Sequence, residues 1–534
     1  MGARLGVALL AAAGLYGVVR VHAAGQALLA LTLLVLTTAA VWVYSSGRTH
    51  ALRYLYPGIA AALVFVVFPM LYTVGIGFTN TSSSNLLERA QVHAYLLQER
   101  IPLTGSARGF TLHAAEGGRV RMRLDPPQEP SPALAPAAGA LVSAPLALDD
   151  TASASPSTPQ PAPQPVALEP AATAPAPGPA LPLREHVQRL PALRALVLQA
   201  PDGTRLELLG LREFAQLAPL YREQADGALV DALTGTAYRP DEATGFYTSA
   251  SGERLQPGYR VNVGLRHYAR IFTEARFRAP FLSVFAWTVA FAGLSVALAA
   301  ALGMLLAVLM NWEALRGKAA YRLVLFLPYA VPGFISILVF KGLFNQNLGE
   351  VNLILDALFG IRPAWFSDPL LAQAMLLIVN VWLGFPYMMV LCTGLIQAIP
   401  ADLYEASAVA GAGPWANFRR ITAPLILQPL TPLLISAFAF NFNNFVLVSL
   451  LTGGRPDQLD TTLPAGTTDI LVSYTWRIAF QDSGQQFGLA AALSTVIFLI
   501  VAAITLLQMR FTRIAADGAA GASAERTSAA PPRS

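Results

Sequence analysis

The chain has 534 residues, of which 54% are apolar and only 13% are charged, against about 25% charged residues in an ordinary soluble domain. This composition excludes a soluble globular enzyme and a disordered chain, and it indicates an integral membrane protein. The net charge of +5 is typical of Lys and Arg in cytoplasmic loops rather than of nucleic-acid binding. The single cysteine, Cys392, excludes an internal disulfide and a multi-cysteine metal site.

Uncharged runs of about 20 residues, the length needed to cross a bilayer, predict eight transmembrane helices. The first run has two interpretations, because Arg4 and the small residues Ala23 and Ala24 around a short apolar stretch also fit a cleavable signal peptide. A second run follows almost at once, which favours a membrane hairpin within residues 1–53. The predicted spans are 5–19, 23–45, 54–78, 279–311, 323–340, 369–401, 421–454 and 483–509.

The basic residues predict the orientation of these spans. When the N-terminus is placed inside, both termini and four groups of basic residues face the cytoplasm, as the positive-inside rule requires. The long segment 79–278 then lies on the outer side of the membrane. The four groups are Arg48 and Arg53; Arg316, Lys318 and Arg322; Arg419 and Arg420; and Arg510 and Arg513.

The outer segment 79–278 is predicted to be a small β-rich domain. Residues 126–182 are dominated by Pro, Ala, Ser and Gln, and we predict a disordered linker there because so few apolar groups are available for burial. Beyond the linker, two short apolar runs flank the turn residues 201–203, which predicts two adjacent strands. Residues 85–125 are expected to complete this domain across the linker. Without a catalytic constellation, a binding surface is the better interpretation.

A helix–turn–helix is predicted between the sixth and seventh spans, at residues 402–424. Asp402 is expected to cap the first helix with Glu405 closing a capping box. Gly411 is expected to end that helix in the left-handed conformation, and Pro414 suits the first turn of the next one. On these grounds alone the segment is a connecting hairpin.

Its sequence, however, resembles the EAA loop of ABC-importer permeases. The pattern EAxxxxGAxxxxxFxxIxxP is matched from Glu405 to Pro424, with Ala410 standing where the family usually has an acidic residue. The resemblance implies that the first helix is a coupling helix that docks on an ATPase subunit. It assigns ATPase coupling to Glu405, Ala406, Ser407, Gly411, Ala412 and Phe418.

The similarity covers the third span, residues 190–268 and the chain from about 280 to 513. Residues 279–513 are the expected permease core of five spans, and a disordered cytoplasmic tail is predicted at 514–534. Several segments closely resemble the permease family of maltose/maltodextrin ABC importers, including LPYAVPGFISILVFKGLFNQ, NVWLGFPYMM, FAFNFNNFVLVSLLT and LTGGRPDQLDTTLPAGTTD. This resemblance implies three kinds of protein partner: a second permease subunit, an ATPase dimer and a periplasmic maltose-binding protein. No cofactor is expected on this chain, since it lacks the phosphate-binding motif G-x-x-x-x-G-K-[ST]; ATP and Mg would lie on the ATPase subunits.

Polar residues inside two spans predict a substrate path, because such residues are costly in a membrane. Asn380, Gly384 and Tyr387 share one face of the sixth span, and Asn441 and Asn444 share one face of the seventh. Neutral amides and an aromatic ring suit a neutral polyhydroxylated ligand. The alternative is that these asparagines only join helices, as they often do in membranes.

The family resemblance favours the binding interpretation. It implies sugar contacts at Asn380, Leu383, Gly384, Tyr387, Asn441 and Asn444. The family's serine position is occupied by Ala437, and Ser436, one residue earlier and about 100° away around a helix, is taken as the seventh candidate contact. Pro328 and Pro332 are interpreted as packing kinks, with gating hinges as the alternative.

These patterns together predict an all-α membrane protein with a β-rich periplasmic domain, serving as a permease subunit of an ATP-driven maltose/maltodextrin importer. It is not expected to be an enzyme, nor to hold a metal. The first alternative function is that of the same kind of permease for another oligosaccharide. The second is an ion-coupled secondary transporter, which would use ionisable residues within its later spans. Those spans carry none.

Overall fold

The computed structural model describes residues 2–127, 139–148, 165–173, 178–459, 461, 464–482 and 484–528. It divides into two compact units, one formed by Met1–Leu86 with Arg260–Ser534 and the other by Leu87–Tyr259. In the described residues, seven helices are long and apolar enough to cross a membrane, or eight when one bent pair is counted as a span. This confirms the predicted helical membrane fold.

The first unit begins with three apolar helical segments. Helices α1 (Gly2–Ala23) and α2 (Ala27–Ser45) form a hairpin. A Cβ atom added at Gly14 would lie 2.5 Å from Thr37 Oγ1, so the glycine permits close approach of these helices. The third segment consists of α3 (Leu52–Ala62), a π-helical turn at Leu63–Val67 and α4 (Phe68–Ile76).

The second unit is the β-rich domain. Strands β2 to β8 close into a barrel, β1 pairs with β9, and β10 to β13 form a four-stranded sheet. Alternate side chains such as Phe110, Leu112, Met122 and Leu124 are buried in the barrel, as expected for strands with one apolar face. The elements are α5 (Arg89–Gln98), β1 (Arg100–Pro102), β2 (Arg108–Ala114), β3 (Val120–Leu124), β4 (Leu141–Ser143), β5 (Val166–Pro170), α6 (Leu183–Gln188), α7 (Leu190–Arg194), β6 (Leu198–Gln199), β7 (Arg205–Leu209), β8 (Glu213–Ala215), β9 (Leu217–Pro219), β10 (Tyr221–Glu223), β11 (Leu229–Asp231), β12 (Ala237–Asp241) and β13 (Phe246–Ser249).

The prediction of one uninterrupted disordered linker at 126–182 is wrong. Strands β4 and β5 lie inside that segment and pair with each other, Val142 opposite Glu169. Leu141 and Leu168 enter the barrel core, and two such short apolar stretches are hidden when composition is averaged over the whole segment. Residues 128–138, 149–164 and 174–177, which belong to the same prediction, lie outside the described residues.

The turn predicted at residues 201–203 is confirmed. Strands β6 and β7 pair in antiparallel fashion with Leu198 opposite Leu206. Gly203 has a φ of +85° at the turn between them, a conformation that glycine adopts without steric cost.

His186 of α6 makes the stability of the barrel sensitive to pH. Its ring stacks on Phe110 at a centroid distance of 5.6 Å, and neither ring nitrogen has a hydrogen-bond partner among the described residues. Burial, with Arg189 and Arg212 nearby, lowers the pKa of His186 below its usual range. The unfolded chain therefore binds a proton at a pH of about 6.5, where the folded domain does not.

We expect the melting temperature of the 87–259 fragment to fall as the pH is lowered from about 7 to about 5. His186→Phe keeps a ring on Phe110 and should reduce this dependence, measured by circular dichroism. His113→Gln is the matched control, because His113 is partly exposed and contacts the Gly178 carbonyl through Nδ1. If the melting temperature depended on pH equally in both variants, His186 would not be the source of the pH dependence.

The permease core follows the β-rich domain. Helices α9 and α13 run side by side in the same direction, since Ala299 faces Gly384 and Gly303 faces Met388 one turn later. The core helices are α8 (Arg266–Thr273), α9 (Ala275–Asn311), α10 (Lys318–Ala330), α11 (Gly333–Leu343), α12 (Glu350–Phe359), α13 (Pro369–Gln397), α14 (Ala401–Val409), α15 (Pro414–Asn417), α16 (Ala423–Phe442), α17 (Phe445–Leu451), α18 (Leu471–Trp476) and α19 (Phe487–Ser528), with π-helical turns at Phe418–Thr422 and Arg477–Gln481.

Cys392 is buried in a hydrophobic cluster between α9, α13 and α16. The cysteine belongs to α13 and is 0% exposed. It packs with Met304 and Ala307 of α9 and with Ile426 and Leu430 of α16. The thiol is therefore a packing group.

Two predicted spans are interrupted in the structure. The run 323–340 is not one straight helix, because α10 and α11 meet at an angle of 92°. Pro332 has no N–H to continue a helix and holds Val331 in an extended conformation, so it breaks the span rather than merely kinking it. The run 421–454 is divided between α16 and α17 at Asn443 and Asn444.

The tail predicted to be disordered at 514–534 is instead helical over most of its length. Helix α19 continues to Ser528, which is consistent with the many alanines in this stretch, since Ala has the highest helix propensity. Residues 529–534 lie outside the described residues.

A buried ion pair holds the loop between α17 and α18. Arg477 donates to Asp469 at 2.7 Å and to Asp457 at 2.5 Å. Asp469 also accepts from the backbone N–H of Gly466 at 2.8 Å. These bonds fix the two ends of the loop, while Leu459 within it is 96% exposed.

Candidate functional site: a polar cavity and an exposed hairpin

A cavity of about 630 Å³ lies between α9, the α10–α11 bend, α13, and the α16–α17 junction. Its lining residues are all uncharged, and its polar groups are hydroxyls and amides. All seven residues that the sequence predicted as sugar contacts are among them: Asn380, Leu383, Gly384, Tyr387, Ser436, Asn441 and Asn444.

Three asparagines form a hydrogen-bonded network on the cavity wall. Asn380 donates to Asn441 Oδ1 at 2.6 Å and accepts from Asn444 Nδ2 at 3.2 Å. Asn441 also donates to the carbonyl oxygen of Ala437 at 2.8 Å. The asparagines thus do join helices, as the alternative interpretation required. Each amide offers two donors and two acceptor sites, so this network leaves capacity for a ligand.

Local breaks in the helices explain why the asparagines meet. Asn444 caps α17, accepting from the backbone N–H of Leu447 at 3.4 Å, and short polar side chains favour such caps over helix interiors. The chain therefore turns just after Asn441, which places both amides opposite Asn380 of α13. Asn380, Gly384 and Tyr387 lie along one face of α13, as predicted from their spacing.

Several lining residues were not among the predicted contacts. Phe440 is 70% exposed and lies one turn from both Ser436 and Asn444, so the same helical spacing could have found it. Tyr329 and Phe334 reach the cavity from either side of the α10–α11 bend, which the sequence did not reveal as a break. Ser436 and Ala437 both line the cavity, so the offset of one residue does not remove the serine from its wall.

The hairpin formed by α14 and α15 is the second candidate site. Gly411 has a φ of +76° and Pro414 opens α15, and both features confirm the predicted turn. The predicted cap is wrong: α14 begins at Ala401 after Pro400, and Asp402 lies inside its first turn without a capping bond. The N-cap is Pro400, two residues before Asp402, and an acidic side chain in the first turn still favours the helix dipole.

The predicted coupling residues divide into two groups. Glu405, Ala406 and Gly411 are exposed, next to Val409, which is 91% exposed. Ser407, Ala412 and Phe418 are half-buried.

Contacts inside the hairpin hold the second group in place. Ser407 donates a short hydrogen bond to Asn417, and Phe418 stacks on Trp415 at 5.6 Å between centroids. Tyr404 bonds Thr422 through their hydroxyls at 2.9 Å. The hairpin is therefore braced internally and presents an exposed face with an acidic residue and apolar neighbours, which is suited to a protein partner.

Comparison with known proteins covers both units. Residues 87–264 match the family model "Maltose transport system permease protein MalF P2 domain", and residues 284–515 match "Binding-protein-dependent transport system inner membrane component". The chain is 47% identical over 511 residues to the maltose/maltodextrin transport system permease protein MalF of Escherichia coli K12, covering 94% of this chain and 95% of that protein. The chain belongs to the MalF permease family.

Other relatives carry the same name. MalF of Photorhabdus laumondii is 48% identical over 512 residues, with 94% of each chain covered. A solved bacterial ABC transporter for import of the acidic polysaccharide alginate aligns with 47% of this chain and 83% of its own, at 23% identity and a TM-score of 0.41. Membership of the MalF family makes the chain a multi-pass transport permease subunit, which is the class of protein that the EAA pattern indicated.

Proposed function

We propose that this chain translocates maltose and maltodextrins across the bacterial inner membrane as one permease subunit of an ABC importer. The observation that carries the proposal is that one uncharged cavity is lined by all seven predicted contact residues, in a chain 47% identical to a maltose/maltodextrin permease. Amides can bond sugar hydroxyls in either direction, and Tyr387 and Phe440 offer ring faces to the apolar side of a pyranose.

The proposal includes three protein partners and an orientation. A second permease subunit would complete the cavity, and an ATPase dimer would dock on the exposed face of α14. A periplasmic maltose-binding protein would dock outside, where the β-rich unit is the expected contact. Both termini would then be cytoplasmic. ATP and Mg would lie on the ATPase subunits, so this chain itself would hold no cofactor and catalyse no reaction.

In this mechanism the hairpin and the cavity act in sequence. Closure of the ATPase dimer moves α14, whose bracing by Ser407 and Phe418 passes the motion to α13 and α16. The cavity opens outward and receives sugar from the docked binding protein. Hydrolysis then returns the cavity to an inward-open state, and the sugar leaves on the cytoplasmic side.

The same permease acting on another oligosaccharide is the second candidate. Ala437 favours it, since a serine is expected there in the maltose family and the methyl group removes a hydroxyl contact. An ion-coupled transporter has less support, because the residues lining the cavity include no Asp, Glu, His, Lys or Arg.

The test is the ATPase activity of the complex reconstituted with its partner subunits and binding protein, measured against a panel of sugars. Selective stimulation by maltose or maltodextrins is expected. Stimulation by a different sugar would keep the transporter class and change the substrate, and Ala437→Ser would then be the first variant to examine. An absence of response to maltose, in a complex that another sugar activates, would overturn the proposed substrate.

A further inference from the structure

Helix α9 contributes one polar side chain to the cavity wall, and it has no hydrogen-bond partner. Ser295 is only 3% exposed, lines the cavity, and leaves its Oγ unbonded among the described residues. The other α9 residues on this wall are Val296 and Ala299. A buried hydroxyl without a partner costs free energy, so its position on a ligand cavity calls for a physical reason.

Hydroxyls inside helices ordinarily satisfy themselves on the carbonyl one turn earlier. Thr288 of the same helix does so, donating to Val284 at 2.6 Å, and Thr393 and Thr495 bond their own preceding turns at 2.7 Å and 2.9 Å. Ser295 does not use this option. Its hydroxyl is therefore both a free donor and a free acceptor at the cavity wall.

The packing of α9 on α13 places Ser295 at the level of the asparagine network. Gly303 faces Met388, and Ala299, one turn earlier, faces Gly384, also one turn earlier. Ser295 and Asn380 lie one more turn towards the N-termini of these two parallel helices. Asn380 bonds Asn441 and Asn444, and Ser295 Oγ has no partner among the described residues, so the serine hydroxyl is left for a ligand.

The α9–α13 contact one turn from this hydroxyl is made by two small residues, Ala299 and Gly384. A Cβ added at Gly384 would lie 3.5 Å from the Cβ of Ala299, an ordinary van der Waals contact. Neither of these two residues carries a long side chain that would separate Ser295 from a sugar ring seated at Asn380. A pyranose carries hydroxyls around its edge, and each one can both donate and accept.

We propose that Ser295 is a further sugar-binding residue, whose hydroxyl exchanges a hydrogen bond with a hydroxyl of the ring held by Asn380. This inference rests on the proposed function, and it adds a third wall to a site otherwise formed by α13 and the α16–α17 junction. Ser295 would contribute to selection among neutral oligosaccharides, because a ligand lacking the matching hydroxyl would leave the buried serine unpaired.

The test is uptake by the complete reconstituted complex in proteoliposomes, with maltose and a set of monodeoxymaltoses as substrates. Ser295→Ala should slow maltose uptake about fivefold, the effect of one neutral hydrogen bond. Ser295→Thr keeps the hydroxyl and should stay within about twofold of the unchanged protein. The matched control is Ser336→Ala, because Ser336 is 4% exposed and equally unpartnered but is not one of the cavity-lining residues.

The deoxy sugars separate binding from packing. The unchanged complex should carry one analogue about fivefold more slowly than maltose. The Ser295→Ala complex should carry that analogue and maltose at the same rate, because the missing sugar hydroxyl and the missing serine hydroxyl belong to the same hydrogen bond. Equal slowing of every analogue, or maltose uptake unchanged in Ser295→Ala, would overturn the inference while leaving maltose transport established. An unchanged complex that carries other sugars but no maltose would instead refute the proposed substrate. Yields of assembled complex, measured by size-exclusion chromatography, normalise each rate.

Discussion

Replacement of Glu405 by lysine is expected to abolish sugar-stimulated ATP hydrolysis by the assembled importer. Glu405 lies on the exposed face of α14 and makes no ion pair within the described residues. If that face docks on the ATPase, reversal of its charge places a like or unpaired charge in the contact, and such changes typically weaken an interface by tenfold or more. The internal bracing of the hairpin should survive, because Glu405 takes no part in it.

Glu313→Lys is the matched control for this prediction. It makes the same charge change on an exposed residue in the loop between α9 and α10, on the same side of the membrane as the hairpin. The measurements are ATPase activity with binding protein and maltose, and co-purification of the ATPase subunit. Normal stimulation in Glu405→Lys would refute the coupling role, whereas equal loss in both variants would indicate a general charge effect.

Loss of the Asn380 side chain is expected to reduce maltose uptake at least about tenfold, because two hydrogen bonds are lost and two amides lose their partner. Asn380 is the centre of the network, bonding Asn441 on one side and Asn444 on the other. Asn380→Ala therefore disturbs the sugar-binding wall and the position of both neighbouring amides. The variant is measured by uptake of radiolabelled maltose into proteoliposomes.

Asn443→Ala is the control for this prediction. It shows how much uptake is lost when an asparagine near the α16–α17 junction is removed without breaking the hydrogen-bonded network. Asn443 is exposed, its side chain donates to the Ala439 carbonyl at 3.2 Å, and it is not a lining residue of the sugar cavity. Its loss should leave uptake within about twofold. If Asn380→Ala assembled normally and transported maltose at the unchanged rate, the asparagines would serve only to join helices.

The sequence located the spans and the polar faces because both depend on local patterns. Long uncharged runs can satisfy their backbone groups in lipid only as helices, so the spans follow from composition. The spacing of Asn380, Gly384 and Tyr387 places them on one face of any helix, whatever its neighbours. The turn within the EAA pattern could likewise be predicted, because Gly411 and Pro414 have local conformational preferences.

The rest depends on contacts between distant segments. Strands β4 and β5 are too short to stand out from a Pro- and Ala-rich background, and only the barrel closure reveals them. The angle of 92° at Pro332 brings Tyr329 and Phe334 to the cavity, although a proline in a sequence does not distinguish a kink from a break. Ser295 has no distinctive sequence context, and its significance arises from the register of α9 against α13.

The burial of Cys392 makes the native chain a ready background for site-specific labelling. A thiol at 0% exposure inside the helix core is shielded from maleimide and nitroxide reagents under native conditions, so it does not have to be mutated first. Leu459 and Val409, at 96% and 91% exposure, are open positions for introduced cysteines on opposite sides of the membrane. Reagents that cannot cross the bilayer would distinguish the two sides, and spin-label distances between these positions would follow the transport cycle.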